Sequence, residues 1–274
     1  IGFGVWTVST NWWGKITEEQ GVNLLVKAFD LGVNFFDTAD TYGVGYGEEI
    51  LAKALPKRRH DIIIGTKFGY DFYSYLERLG HEEREQRFDR EFIRFACEQS
   101  LRRLGTDYID LYQLHNPKID VIEQDEVFST LEDLVREGKV RYYGVALGPG
   151  IGWVQEGTAS MCHREIKSLE IIYNILEQDA ARCLFPIAKD KKIGLISRVP
   201  HASDVLTSKY RRAPESDGPI NATHLGNENV AGGMEKAAMV KFLSQGTGRT
   251  VAQAAIKFCL SQECLVSVLP NITT

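Results

Sequence analysis

Residues 34–43 read Asn34-Phe35-Phe36-Asp37-Thr38-Ala39-Asp40-Thr41-Tyr42-Gly43. An apolar run that ends in a carboxylate and a polar turn is typical of a strand buried on both faces. Two similar runs follow, one ending at Lys67 and the other at His115. Because neighbouring parallel strands lie about 4.8 Å apart, residues at their carboxyl ends can meet over a small area. The three strand ends therefore predict one site, which Tyr42 in the first turn can join.

Strand-like and helix-like segments alternate along the chain. Helices are predicted from apolar spacing, caps and glycine or proline stops at residues 17–31, 47–55, 89–104, 121–137 and 179–189, and from 234 and 250. Strands are predicted at residues 1–5, 33–38, 62–67, 109–114, 141–146, 169–173, 193–197 and 265–269. Eight apolar strands separated by amphipathic helices predict an α/β fold, a parallel eight-stranded (β/α)8 TIM barrel.

The length of 274 residues matches one such barrel, so residues 1–274 are expected to form a single domain. The abrupt start at Ile1 and stop at Thr274 suggest a barrel that is clipped at both ends.

Composition and charge exclude several classes of function. Hydrophobic residues make up 43% and charged residues 25%, which is normal for a globular protein. A net charge of −5 argues against nucleic-acid binding, which requires clustered Lys and Arg. Five scattered cysteines without C-x-x-C spacing argue against disulfides and zinc and suit a cytoplasmic protein. No apolar run is long enough to span a membrane, and six histidines without paired spacing predict no metal site.

Two segments interrupt the alternation of strands and helices. Residues 68–88 are rich in aromatic and charged side chains, and residues 211–233 are polar and rich in glycine and proline. Both follow predicted strands, on the face where barrel active sites are built. They are expected to lie outside the core, either as lids over the site or as ordinary surface insertions.

The side chains at the three strand ends suit proton transfer. A free tyrosine has a pKa near ~10, which is too high for an efficient acid at neutral pH. The Lys67 cation is expected to lower the pKa of Tyr42, while a buried Asp37 keeps the lysine charged and in place. Tyr42 could then give a proton to a carbonyl oxygen that His115 also binds. This arrangement suits carbonyl reduction, in which hydride arrives at the carbon.

Four motifs resemble those of the aldo-keto reductase family, in the same order along nearly the whole chain: residues 37–43, 65–67, 110–115 and 138–145. The resemblance implies an NAD(P)H-dependent oxidoreductase that reduces an aldehyde or ketone. It favours NADP(H) over NAD(H), and it implies a small-molecule carbonyl or alcohol substrate. The catalytic tetrad that it implies consists of Asp37, Tyr42, Lys67 and His115, with Tyr42 as the proton donor.

The resemblance also implies a cofactor site after strands five to seven, formed by Ala146, Leu147, Glu170, Arg198, Pro200, His201, Ser203 and Leu206. The sequence departs from the family pattern there. Ala146 and Leu147 stand where Ser-Asn is usual, Glu170 replaces a glutamine, and Arg198 replaces an aromatic residue beneath the nicotinamide. Alanine and leucine side chains form no hydrogen bonds, and guanidinium is a planar cation. An ion pair between Glu170 and Arg198 is therefore predicted.

Two alternatives remain open at this point. The altered nicotinamide contacts suit a non-catalytic barrel that binds a nucleotide as a sensor or as a subunit of an assembly. Lys67 could instead be a Schiff-base nucleophile, although Asp37 should keep its amine protonated. The sequence identifies neither the carbonyl substrate nor the oligomeric state. The family's contacts to the cofactor 2′-phosphate normally follow the eighth strand, beyond the given residues.

Overall fold

The computed structural model describes residues 1–10, 14–74, 84–148, 153–207, 235–236 and 238–273. Eight parallel strands form one sheet in which each strand pairs with the next along the chain. They are β1 (Phe3–Gly4), β2 (Phe35–Asp37), β3 (Ile63–Phe68), β4 (Ile109–His115), β5 (Val140–Ala146), β6 (Ser168–Ile172), β7 (Gly194–Arg198) and β8 (Leu265–Leu269). The amide of Gly2 donates to the carbonyl of Val268 at 3.0 Å, which links the two ends of the sheet. The predicted (β/α)8 barrel is confirmed.

Helices separate the strands. They are α1 (Trp6–Ser9), α2 (Glu18–Asp30), α3 (Tyr46–Ala54), α4 (Arg90–Leu104), α5 (Ile119–Ile122), α6 (Asp125–Arg136), α7 (Val154–His163), α8 (Asp179–Lys191) and α9 (Val251–Leu260). Thr17 begins α2 with a capping box to Gln20, and Gly105 ends α4 in the left-handed conformation. None of the helices in the described ranges is long and apolar enough to cross a lipid bilayer.

The structure corrects several predicted boundaries. Strand β1 has only two residues, because the chain turns into α1 at Trp6. The helix predicted at 121–137 is two helices, α5 and α6. Helix α7 was not predicted, since Gly157, Thr158 and Ser160 lower helix propensity and interrupt its apolar stripe. The predicted 211–233 segment, and the start of the helix predicted from 234, lie outside the described residues.

The expectation that residues 68–88 lie outside the core is wrong for the aromatic residues Phe68, Tyr70, Phe72 and Phe88, whereas Glu85 and Arg87 are exposed as expected. Phe68 belongs to β3 and is fully buried. Its ring stacks on Tyr112 at 4.3 Å between centroids and meets the buried ring of Phe88 at 5.9 Å. Burial of these aromatic rings is favourable even though the segment around them is polar, because it removes a large apolar area from water. Residues 75–83 are outside the described ranges.

Candidate active site

Three neighbouring strands place the predicted acid, amine and imidazole together. Asp37 ends β2, Lys67 lies near the end of β3, and His115 ends β4. The register pairs Asp37 with Gly65 and Lys67 with Gln113, so the three strand ends adjoin. All three side chains are buried. The structure thus brings together the residues that sequence analysis selected from separate strands.

The Lys67 ammonium is fully buried and lies between two carboxylates. It donates to Asp37 Oδ1 and, at 3.0 Å, to the carbonyl oxygen of Thr38. Glu170 Oε2 lies 3.4 Å from Lys67 Nζ. Burial by itself would lower the pKa of Lys67, but Asp37 and Glu170 together hold that pKa above its ordinary value. Lys67 is therefore a permanent cation at this site.

Tyr42 lies beside this cation in the turn after β2. Lys67 Nζ is 5.3 Å from the centroid of the Tyr42 ring, and the His115 ring meets it edge-on at 5.8 Å. Burial raises the pKa of Tyr42 to about 12, although Lys67 opposes the rise. The expectation of a lowered pKa is wrong for this structure, because desolvation of the phenolate outweighs the nearby cation. Tyr42 is fully protonated at neutral pH.

The imidazole of His115 is neutral. Burial lowers its pKa well below the ordinary value, and the positive charges of Lys67 and Arg198 lower it further. Its Nδ1 atom has no hydrogen-bond partner among the described residues. A neutral imidazole carries one N–H donor and one acceptor, so His115 can donate to a small-molecule oxygen without bringing a charge.

Gln86, a residue that the sequence analysis missed, holds the backbone at His115. Its Nε2 atom donates to the carbonyl of His115 at 2.9 Å and to that of Asn116 at 3.1 Å. Asn116 has a φ of 53° and donates through Nδ2 to the Tyr70 hydroxyl at 2.8 Å. The Tyr70 ring in turn lies edge-on to His115 at 5.0 Å. No local pattern marks Gln86, because its partners follow 29 and 30 residues later.

The predicted cofactor side is organised around Arg198. Its Nη2 atom donates to the carbonyl of Leu147 at 2.6 Å. Its Nε atom is 4.0 Å from Glu170 Oε1 and has no hydrogen-bond partner among the described residues. The predicted ion pair with Glu170 is present, but Glu170 lies closer to Lys67 than to Arg198. Ala146 and Leu147 are buried and offer only backbone groups for hydrogen bonding.

The loop after β7 has an unusual backbone. Val199, Ala202, Ser203 and Asp204 all have positive φ angles, between 49° and 70°. Such strain in non-glycine residues is concentrated at functional sites, and successive turned amides form anion-binding concavities. No backbone carbonyl of the described residues accepts from the Ser203 amide. Of the predicted loop residues, Pro200, His201 and Ser203 are buried, and Leu206 packs in an apolar cluster with Ala202, Val205 and Ala255.

A second buried ion cluster lies on the other face of β3. We call Glu48, Thr66, Tyr73 and Arg103 the Glu48 cluster. Glu48 accepts from Thr66 Oγ1 at 2.6 Å and from Arg103 Nε at 2.7 Å, and Arg103 donates to the Tyr73 hydroxyl at 2.9 Å. Asp40 lies near it, fully buried. Burial and the charge of Glu48 raise the pKa of Asp40 well above its usual range, although Arg103 opposes them.

Comparison with known proteins identifies relatives over the whole barrel. The model of the Aldo/keto reductase family matches residues 1–274. A Bacillus subtilis (strain 168) protein, Uncharacterized oxidoreductase YqkF, is 30% identical over an alignment of 274 positions, which covers 98% of this chain and 81% of that protein. The solved structure of aldo-keto reductase AKR11C1 from Bacillus halodurans (holo form) is 30% identical, with a TM-score of 0.76 over 98% of this chain and 80% of that one.

A further relative, the Probable voltage-gated potassium channel subunit beta of Arabidopsis thaliana, is 27% identical over 286 residues. The match covers 100% of this chain and 83% of that protein.

Proposed function

Because the chain belongs to the aldo/keto reductase family of oxidoreductases, we propose that it reduces an aldehyde or ketone with hydride from NAD(P)H and a proton from Tyr42. The observation that carries this proposal is the meeting of a phenol, a buried cation and a neutral imidazole at adjoining strand ends. Tyr42, Lys67 and His115 supply these three groups, and Asp37 holds the cation.

Tyr42 is the proposed proton donor. With a pKa of about 12, its phenol is protonated at neutral pH and ready to give its proton. The alkoxide that forms at a reduced carbonyl is a stronger base than a phenolate, so the transfer is downhill. The phenolate left behind is stabilised by the Lys67 cation, 5.3 Å from the ring centroid. In the oxidative direction the same phenolate is the general base.

His115 and Asp37 have supporting roles in this proposal. The neutral imidazole of His115 donates a hydrogen bond to the substrate oxygen and orients it toward Tyr42. Asp37 and the Thr38 carbonyl fix the Lys67 ammonium beside the phenol. The assignment of an aldolase-type nucleophile to Lys67 is disfavoured, because an ammonium held between two carboxylates is not nucleophilic.

The residues present fit a dinucleotide cofactor, which supplies hydride when it is bound. Arg198 Nε, which has no hydrogen-bond partner in the described part of the chain, can donate at the position predicted to meet the nicotinamide side, with Glu170 next to it. The left-handed backbone at Ala202, Ser203 and Asp204, together with the Ser203 hydroxyl, suits the pyrophosphate.

NADP(H) is proposed ahead of NAD(H). Support comes from Aldo-keto reductase yakc [NADP(+)] of Schizosaccharomyces pombe (strain 972 / ATCC 24843), a relative that is 26% identical over 275 residues.

The variant Tyr42→Phe tests the mechanism. Loss of the proton donor should reduce turnover of an aldehyde panel by roughly 10²- to 10⁴-fold, while circular dichroism and the melting temperature stay unchanged. Tyr108→Phe is the matched control, because Tyr108 precedes β4 and lies at the opposite end of that strand from His115. Unchanged turnover in Tyr42→Phe would remove Tyr42 from the mechanism.

The second candidate function is a nucleotide-binding barrel without turnover, acting as a sensor or as a subunit of an assembly. The observation that favours it is the absence of hydrogen-bonding side chains at Ala146 and Leu147. The potassium channel beta subunit among the relatives supports it too. Titration with NADPH and with NADH, followed by nucleotide fluorescence, separates the candidates. Binding without turnover favours the sensor, and no binding of either nucleotide would contradict both.

Location and domain organisation complete the proposal. Cys97, Cys162, Cys183, Cys259 and Cys264 are all free thiols, which supports a reducing compartment such as the cytoplasm. One continuous sheet from β1 to β8 supports a single barrel domain over residues 1–274.

A further inference from the structure

Glu170 contacts the same lysine as Asp37. Its Oε2 atom is 3.4 Å from Lys67 Nζ, and its side chain is only 2% exposed. We propose that Glu170 is a positioning residue that shares the Lys67 ammonium with Asp37, and that the Glu170 charge thereby sets the protonation of Asp37 and the net charge next to Tyr42. The effect on Tyr42 chemistry rests on the proposed function, whereas the protonation of Asp37 is a property of the protein by itself.

The geometry leaves the carboxylate pair with too little positive charge. Lys67 is a single cation for two buried carboxylates. Gln113 Nε2 lies between them, 3.4 Å from Asp37 Oδ2 and 3.5 Å from Glu170 Oε2, so both carboxylates point at one neutral amide. Two negative charges that share one ammonium and one amide disfavour each other, so the charge of Glu170 opposes ionisation of Asp37.

Arg198 compensates the second carboxylate only in part. Its Nε atom is 4.0 Å from Glu170 Oε1 and makes no hydrogen bond within the described ranges, while Nη2 donates to the Leu147 carbonyl. The Arg198 side chain is 20% exposed, so water also screens its charge. In the part of the chain that the structure describes, Tyr42 and His115 also face the pair, and neither is charged at neutral pH.

The pKa shifts of Asp37 and Tyr42 have the direction that this geometry predicts. Burial raises the pKa of Asp37 to about 7, and the charge of Glu170 adds to the rise, while Lys67 and Arg198 oppose it. Glu170 also contributes to the raised pKa of Tyr42. Asp37 therefore holds a proton below about pH 7 and releases it above.

Release of that proton changes the reaction that Tyr42 performs. With Asp37 ionised, one more negative charge disfavours the Tyr42 phenolate that proton donation leaves behind. Reduction should therefore slow as the pH rises through about 7. In Glu170→Gln, Asp37 is the only carboxylate on Lys67, so the pKa of Asp37 falls and its single negative charge is constant across the neutral range. That variant should keep its reductive rate at pH values where the wild type loses it.

The first experiment measures the unfolding free energy against pH by chemical denaturation, without any cofactor or substrate. The folded pKa of Asp37 lies above its unfolded value of roughly 3.9, so the stability that it contributes is lost as the pH rises toward about 7. In Glu170→Gln the loss should end about one pH unit or more lower. In Arg198→Met it should extend to higher pH, because a cation has been removed.

Three comparisons decide the inference. The inference is supported if the stability curve moves to lower pH in Glu170→Gln and to higher pH in Arg198→Met. In an Asp37→Asn background, the Glu170→Gln substitution should no longer move the curve. Stability curves of Glu170→Gln and the wild type that run parallel across pH 4–9 would overturn it. If Glu170→Gln does not fold, Glu170→Met takes its place: a stability curve displaced to lower pH supports the inference, and a curve parallel to that of the wild type overturns it.

The second experiment measures kcat/KM for carbonyl reduction against pH in the wild type and Glu170→Gln. A wild-type profile that falls near pH 7 and a flat profile in the variant support the coupling to Tyr42. Identical profiles would overturn the coupling. If no variant turns over any carbonyl, the proposed function fails, while the stability curves still decide whether Glu170 sets the protonation of Asp37.

Discussion

Strand β3 carries two buried ion clusters, one on each face. Successive strand residues point to opposite faces of the sheet. Thr66 therefore points toward α3 and α4, where it contacts Glu48, and Lys67 points to the other face, where it contacts Asp37. We call Asp37, Lys67, Glu170 and Arg198 the Lys67 cluster. Both clusters are buried, and each is associated with a carboxyl group whose pKa is raised. These groups are Asp37, a member of the Lys67 cluster, and Asp40, which lies beside the Glu48 cluster. Burial and charge therefore do not separate a structural cluster from a chemical one.

The two clusters differ in how completely their groups are paired. Both oxygens of Glu48 accept short hydrogen bonds, and Arg103 is fixed by Tyr73 as well. In the Lys67 cluster, Glu170 is 3.4 Å from Lys67 and 4.0 Å from Arg198, whose Nε atom has no partner among the described residues. A satisfied cluster rigidifies the fold, whereas unpaired groups at strand ends remain available to a ligand.

Arg103→Met should give the largest effect on stability. It leaves the fully buried Glu48 without its cation, which costs about 3–5 kcal/mol of unfolding free energy. Chemical denaturation measures the loss. The control is Arg136→Met, which removes an exposed pair with Asp133 and should cost less than about 1 kcal/mol. Equal losses in the two variants would contradict a structural role for the Glu48 cluster.

Thr66→Val should have a smaller effect, about 1.5–3 kcal/mol, because it removes one short hydrogen bond to a charged group at nearly constant volume. Its counterpart in the Lys67 cluster is Gln113→Met, which removes long contacts to Asp37 at 3.4 Å and to Glu170 and Ser168 at 3.5 Å, and should cost about 0.5–1.5 kcal/mol. Denaturant curves at one pH compare the two. A larger loss of unfolding free energy in Gln113→Met than in Thr66→Val would contradict the conclusion that the Lys67 cluster is less completely paired.

Asp40→Asn should change the pH dependence of stability more than its level. The folded pKa of Asp40 lies well above the unfolded value, because of burial and the charge of Glu48. Its contribution is present at low pH and is lost as the pH rises toward the folded pKa, by at most about 1.4 kcal/mol per pH unit. The variant should lack this decline in unfolding curves taken at several pH values. A decline that persists unchanged in the variant would show that the pKa of Asp40 does not differ between the folded and the unfolded protein.

Local sequence patterns were sufficient to predict the barrel. Apolar runs mark the strands, while caps such as Thr17 and glycine stops such as Gly105 mark the ends of helices, because these signals depend on residues a few positions apart. The same patterns fail where local signals are weak, as in α7, or where a polar segment contributes buried rings, as at Phe68. Asp37, Lys67 and His115 were predictable as a group, since parallel strands end at one edge.

The sequence by itself determined eight parallel strands and the residues at their ends. Only the tertiary structure decided how those residues pair, because hydrogen bonds between side chains far apart in the chain depend on register and side-chain placement. Glu48 and Arg103, 55 residues apart, meet for this reason, and Glu170 lies nearer to Lys67 than to Arg198. The raised pKa of Tyr42 is a tertiary property as well, since the depth of burial that outweighs the lysine charge is set by packing around the ring.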